Sequence, residues 1–158
     1  MTVDHDEFRA VLGRFASGVN VVTALGPHFQ DQGMTVSAFS SLSLDPPLVL
    51  ICIDHAASMY ASLGAATHFA VNILSDAQEG LARRFSGTDP NRFEGLGYTR
   101  GQTGLILLDD TLGSVECRVI ATHAAGDHDV FVGEVEFATA SDGKPLLYYR
   151  GGYAQLER

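Results

Sequence analysis

Apolar residues first recur at helical spacing: Phe8, Val11, Leu12 and Phe15 fall at i, i+3, i+4 and i+7 and make one stripe. Asp4, with Glu7 three residues later, has the form of an N-cap and its reciprocal partner, and Gly18 can end the helix. The pattern then changes. Residues 19–24 predict a strand that Gly26-Pro27 breaks, and a second extended stretch runs over 34–44 until Asp45-Pro46-Pro47 turns the chain. Residues 48–53, LVLICI, are apolar without alternation, which predicts a strand covered on both faces. A short helix is expected over 56–63, a strand over 69–73, and a helix from the Ser75/Gln78 capping box to residue 85.

Residues 86–104 are polar and glycine-rich and predict a long loop, of a length that often serves function. Long strands over 113–122 and 130–140, then a short one over 146–149 behind the Asp142-Gly143 turn, complete the pattern. Strands outnumber helices and mostly follow one another without helical crossovers. The expected fold is mainly β: an antiparallel sheet or barrel with a few flanking helices, in a single domain spanning 1–158.

Composition agrees: of 158 residues, 46% are hydrophobic and 18% charged, as in ordinary globular chains. A formal net charge of −9 repels phosphate backbones and anionic headgroups, so neither nucleic acid nor membrane is an expected partner. No apolar run approaches the ~20 residues needed to span a bilayer. The first residues carry acids where a secretion signal would be basic and then apolar, so a cytoplasmic protein is expected. Cys52 and Cys117 lie in apolar, strand-like stretches and are expected to be unpaired and inert.

No dinucleotide glycine fingerprint, Walker A loop, HExxH, GxSxG or CxxC occurs, so an organic cofactor is expected to carry any chemistry. Four stretches are candidates. From Thr35 to Ser43, five hydroxyl residues alternate with apolar ones; they suit the polar edge of a flat ring and its phosphate, or equally a solvated strand face. Cys52-Ile53-Asp54 runs toward Ser58, where a helix start offers either a phosphate site or a simple cap. Asp127-His128-Asp129 puts an imidazole between two acids in a turn, without metal-site spacing, so no metal is expected. Tyr148-Tyr149-Arg150-Gly151-Gly152-Tyr153 suits nucleotide stacking, or an ordinary aromatic strand end.

In order along the chain stand Gly13-Arg14-Phe15-Ala16-Ser17-Gly18-Val19, Gly33-Met34-Thr35-Val36-Ser37, and Phe39-Ser40-Ser41-Leu42-Ser43-Leu44-Asp45-Pro46-Pro47-Leu48-Val49. Phe69-Ala70-Val71-Asn72-Ile73-Leu74, Arg84-Phe85-Ser86-Gly87, Glu116-Cys117, Gly126-Asp127-His128, Gly133-Glu134-Val135 and Tyr149-Arg150-Gly151-Gly152-Tyr153 follow. This ordered set resembles the flavin reductase-like, FMN-binding split-barrel family, the short reductase components of two-component flavin monooxygenases. The resemblance implies an antiparallel split β-barrel, a homodimer, and FMN or FAD in a groove near the subunit interface.

By position, the resemblance implies that Met34, Thr35, Val36 and Ser37 lie along the isoalloxazine ring, with Ser40 and Ser41 toward the phosphate. Cys52, Ile53 and Asp54 would line the other side, Ser58 would help hold the phosphate, and Phe85 and Ser86 would close the pocket. His128 would orient the nicotinamide nucleotide, NADH or NADPH, with Arg150 and Tyr153 near it. Relatives often carry a basic residue in the stretch matching 55–57, where only His55 is available here. The implied activity is NAD(P)H:flavin oxidoreduction that supplies a partner monooxygenase. A flavin reductase acting on its own acceptor and a flavin carrier without turnover are the alternatives.

Overall fold

The computed structural model describes residues 1–157. Its strands are β1 (Ser17–Gly18), β2 (Asn20–Leu25), β3 (Asp31–Val36), β4 (Phe39–Ser43), β5 (Leu48–Asp54), β6 (His68–Ile73), β7 (Tyr98–Arg100), β8 (Ile106–Leu108), β9 (Gly113–Ala125), β10 (His128–Ala140), β11 (Leu146–Tyr149) and β12 (Gly152–Gln155). Its α-helices are α1 (His5–Leu12), α2 (Tyr60–Ala65) and α3 (Glu79–Ser86).

Seven strands form one antiparallel sheet in the order β3-β2-β6-β9-β10-β5-β4. Laid flat, its edge strands would stand about 29 Å apart, six gaps of about 4.8 Å. Yet β3 and β4 are consecutive, joined only by Ser37-Ala38, and three Cα steps reach at most about 11 Å. The sheet must therefore curl until its edges meet. No ladder joins β3 to β4, so the barrel stays open along that seam, as the expected split barrel requires.

Val22, Ile51, Phe69, Val71 and Phe131 fill the barrel. At the register shift between Val132 and Gly133, a Cβ on Gly133 would stand 2.7 Å from both the Cys117 Cβ and the Phe69 ring. Gly133→Val is expected to lose about 1–3 kcal/mol or more through overpacking, read as a lower urea midpoint. An unchanged midpoint would refute this account of the barrel's packing. A second core lies outside the barrel, where Val19, Val21, Leu74, Phe85, Ile106 and Leu146 meet. Beside it, β1, β11 and β12 form a small sheet. Arg150 and Gly151, at φ 51° and 79°, make the tight turn joining β11 to β12, the two-residue connection that needs positive φ at both positions.

Several expectations change in detail. The capping box at Asp4 forms, but α1 ends at Leu12, short of the expected Gly18, and no residue of it is buried: Phe8, Val11 and Leu12 are 56%, 67% and 50% exposed, and Phe15, just past its end, is 79% exposed. The apolar stripe exists, and among the described residues nothing covers it. In β5 burial alternates strictly, with Val49, Ile51 and Ile53 inside and Leu48, Leu50, Cys52 and Asp54 only half-buried, so its second face is a surface and not core. The extended stretch over 34–44 divides at Ser37-Ala38, because the seam needs a crossing there. The loop over 86–104 contains β7, which pairs with β8. Arg92 staples that loop to the barrel, donating to the carbonyls of Gly33 at 2.8 Å and Gly87 at 2.6 Å. Buried Glu116 accepts from the Thr103 N–H at 2.9 Å and from its hydroxyl, holding the turn before β8. Among the described residues, no helix is long and apolar enough to cross a membrane.

Candidate functional site

The half-exposed face of β5 floors a groove of about 670 Å³ along the seam. Leu50, Cys52 and Phe39 supply the floor, Ser37, Ala38 and Ser40 the seam, and Phe8, Leu12 and Phe15 the wall beside α1. A smaller cleft of about 200 Å³ continues from it, lined by Thr35, Ser86 and Tyr153, and the two share Ser37 and Tyr148. Six residues singled out in the sequence thus gather around one site: Thr35, Ser37, Ser40, Cys52, Ser86 and Tyr153.

Their chemistry is specific. Thr35 Oγ1 and Ser86 Oγ both donate to the Ala82 carbonyl, at 2.7 and 2.8 Å, which ties β3 to α3 and leaves these hydroxyls only lone pairs for a ligand. Ser37 and Ala38 belong to neither ladder, and among the described residues their N–H groups meet no acceptor. Asn20, buried, donates to the Val36 carbonyl at 3.0 Å and fixes where β3 ends. Burial raises the Cys52 thiol, and pushes that of Cys117 up to about 12. Both cysteines are free, as expected. Alkylation at pH 8 is therefore expected to reach Cys52 slowly and Cys117 not at all. A ligand seated in the groove at 100 times its Kd should slow it about 100-fold, and labelling indifferent to that ligand would place it elsewhere.

The remaining candidates divide by position. Met34 is half-buried, while Val36, Ile53 and Phe85 are buried, so these last three can offer a ligand only backbone. Phe85 closes nothing: its ring lies beneath Gly33, where a Cβ would stand 2.8 Å from it. Ser41 is exposed on β4, and Arg150 on the β11–β12 turn. The helix expected from residue 56 begins only at Tyr60, with no side-chain cap. Ser58 sits in the turn before it, and Asp54 Oδ1 accepts from the Ala56 N–H at 2.8 Å, closing a local turn. Ser58 thus stands two residues before the first residue of α2, next to its N-cap Met59.

His128 lies beyond the groove's lining, but register places it. Cys52 stands opposite Val130 and Asp54 opposite His128. Directly opposed residues share a face, and alternate residues of a strand do too. His128 is thus on the groove side, one residue pair or about 7 Å beyond Cys52. Its Nδ1 is 2.6 Å from Asp127 Oδ1, and that contact holds the Asp127 carboxyl below the usual range. A carboxylate only accepts, so Nδ1 carries the hydrogen and Nε2 is left for a ligand.

Sequence reasoning missed the groove's apolar wall, whose signal was the stripe on α1. It also missed Arg83, whose guanidinium lies 5.0 Å from the centre of the Tyr153 ring. A second cleft of about 670 Å³, lined by Asp76, Asp109, Asp110 and Asp142, gathers none of the candidates, and its charge opposes phosphate.

An open antiparallel barrel with a mostly apolar groove at its seam, floored by strand and rimmed by hydroxyls and N–H groups, has the build of a receptor for a flat, polar-edged ring. The chain matches the family described as Flavin reductase like domain over residues 12–157. It is 42% identical over 151 residues to the FMN reductase (NADH) SmoA of Agrobacterium fabrum, covering 96% of this chain and 86% of that protein. To the flavin-dependent monooxygenase reductase subunit HsaB of Mycobacterium tuberculosis it is 34% identical over 158 residues, covering 98% and 84%. The structure of the Streptomyces globisporus NADH:FAD oxidoreductase SgcE6 with NAD and FAD fragments matches at a TM-score of 0.92 and 34% identity, over 99% of this chain and 97% of that one. The chain belongs to the flavin reductase-like domain family.

Proposed function

We propose that this protein is an NADH:flavin oxidoreductase that reduces FMN or FAD in the seam groove and supplies the reduced flavin to a separate monooxygenase. The observation that carries this reading is the shared face of β5 and β10, which aligns His128 with a groove of flavin size. About 670 Å³ is ample for an isoalloxazine ring, within the usual range for small-molecule sites. When bound, the flavin supplies the hydride-accepting ring, which no side chain replaces.

The protein's own residues then position and shelter. Backbone of Met34, Thr35, Val36 and Ser37 borders one edge of the ring, and Cys52, Ile53 and Asp54 border the other. Ser40, Ser41, Ser58 and Ser86 face its polar tail, and Arg83 adds positive charge beside Tyr153. His128 Nε2 orients the nicotinamide nucleotide, with Tyr153 and Arg150 near it. Holding two rings in contact distance supplies most of the rate, so no strong base is required. NADH is favoured over NADPH because flavin reductases that this chain resembles are named for NADH.

The uncovered stripe of α1 supports a homodimer whose interface borders the groove. The unpaired cysteines fit a cytoplasmic setting, and the 158 residues act as one flavin reductase unit. Adding NADH anaerobically to catalytic protein and excess FMN or FAD is expected to bleach the flavin band, with the preferred flavin bleaching faster. Flavin that binds and stays oxidised would overturn the reading.

A further inference from the structure

His128 opens β10 at the end of the β9–β10 hairpin, backbone-paired with Ala125 on one side and Asp54 on the other. Residues 122–127 are all exposed, and Gly126 turns there at φ 64°. The exposed turn itself opens more readily than the laddered strands it joins. One buried polar group ties it down. Asp129 is 9% exposed and, being next to His128 on a strand, faces the opposite side. Its Oδ1 is 2.8 Å from His55 Nε2, and its Oδ2 accepts from the Tyr60 hydroxyl at 2.8 Å. His55 also donates its backbone N–H to the Asp127 carbonyl at 2.9 Å, and its ring packs on that of Tyr60 at 4.8 Å between centres. One carboxylate thus joins the start of β10, the turn after β5 and the first residue of α2.

The His55 and Tyr60 bonds hold the Asp129 carboxyl below the usual range, and the Tyr60 phenol is pushed up in return. The carboxylate only accepts, so His55 Nε2 carries its hydrogen and Nδ1 is the nitrogen left open, on a side chain 38% exposed. Burying a carboxylate in such a knot is a weak source of stability compared with an apolar contact, so the knot calls for another use. We propose that Asp129 is a positioning residue for the hydride donor, acting through His55 and Tyr60 to hold the His128 turn against the turn that follows β5. This rests on the reading that His128 meets the nicotinamide nucleotide.

The test uses the purified protein with FMN. Steady-state rates give kcat and KM for NADH, flavin fluorescence gives the FMN Kd, and Asp129→Asn, Tyr60→Phe, His128→Asn and the Asp129→Asn/His128→Asn pair are compared. Asp129→Asn is expected to lower kcat/KM for NADH about tenfold, the size of a lost charge-assisted hydrogen bond, while the FMN Kd stays within about twofold. Tyr60→Phe, which keeps the His55 contact, should move the same parameter less. The double variant should be no worse than His128→Asn alone, because Asp129 acts by placing His128.

Losses that add in full, or an FMN Kd that rises in step with the loss of rate, would make Asp129 merely structural and overturn the inference. If Asp129→Asn does not fold, Tyr60→Phe decides by the same two parameters. If His128→Asn leaves kcat/KM for NADH unchanged, the placement of the nucleotide falls and takes the inference with it. If His128→Asn is impaired and Asp129→Asn is not, the inference alone falls.

Discussion

Replacing His128 with alanine is expected to lower kcat/KM for NADH by about ten- to a hundredfold, the range for one lost hydrogen bond to a charged or strongly polar partner. FMN binding should be unchanged, because His128 lies one residue pair beyond Cys52 on the shared face of β5 and β10. Its Nδ1 is committed to Asp127, so the loss is the open Nε2 and the orientation it gives. Stopped-flow reduction at several NADH concentrations separates the two: weaker NADH binding with the limiting rate retained means contact only. A lower limiting rate means misaligned rings. An unaltered NADH dependence would remove His128 from the site.

Much of this arrangement was legible in the sequence. Beyond the strand count, the hydroxyl run at 35–43 and the Asp127-His128 pair mark one end of the chemistry, and register alone brings His128 to the side of the groove. What the pattern hid has physical causes. LVLICI gave no alternation because the groove face of β5, though half-exposed, is itself apolar. The stripe on α1 has the periodicity of a core helix, since an exposed apolar face and a buried one follow the same hydrophobic period. Tyr98–Arg100 went unread as a strand because three exposed residues carry no period. The Asp129 knot was invisible for another reason. His55, Tyr60 and Asp129 are 69 and 74 residues apart along the chain in their two contacts, and only the sheet brings them together.

The second large effect concerns α1. Leu12→Asp with Phe15→Asp is expected to convert a dimer to a monomer in sedimentation velocity and to weaken flavin binding together with it. Burying a large apolar side chain contributes about 1.5–3 kcal/mol, and an unpaired carboxylate in its place reverses the sign. Leu12 and Phe15 are half or more exposed in the single chain, so the monomer's fold should be little disturbed, and its thermal transition should survive. Both also line the groove, which is why assembly and flavin affinity should fall together. A wild-type chain that is monomeric at micromolar concentration, or a variant that stays dimeric, would remove the stripe from the interface.

An open barrel has two raw edges, and this one treats them differently. The edge of β3 is covered, with Arg92 on the Gly33 carbonyl and Thr35 tied to α3. The edge of β4 is left bare, yet Ser40, Ser41 and Ser43 occupy it where valine or isoleucine would be the ordinary strand residues. A bare, apolar edge invites pairing with the edge of another chain and then aggregation. Hydroxyls solvate it instead, so the protein remains dispersed whenever its flavin has departed. A reductase that must release its product repeatedly spends part of its life empty, and the serines along β4, of which Ser40 lines the groove, keep the vacated edge from recruiting its neighbours.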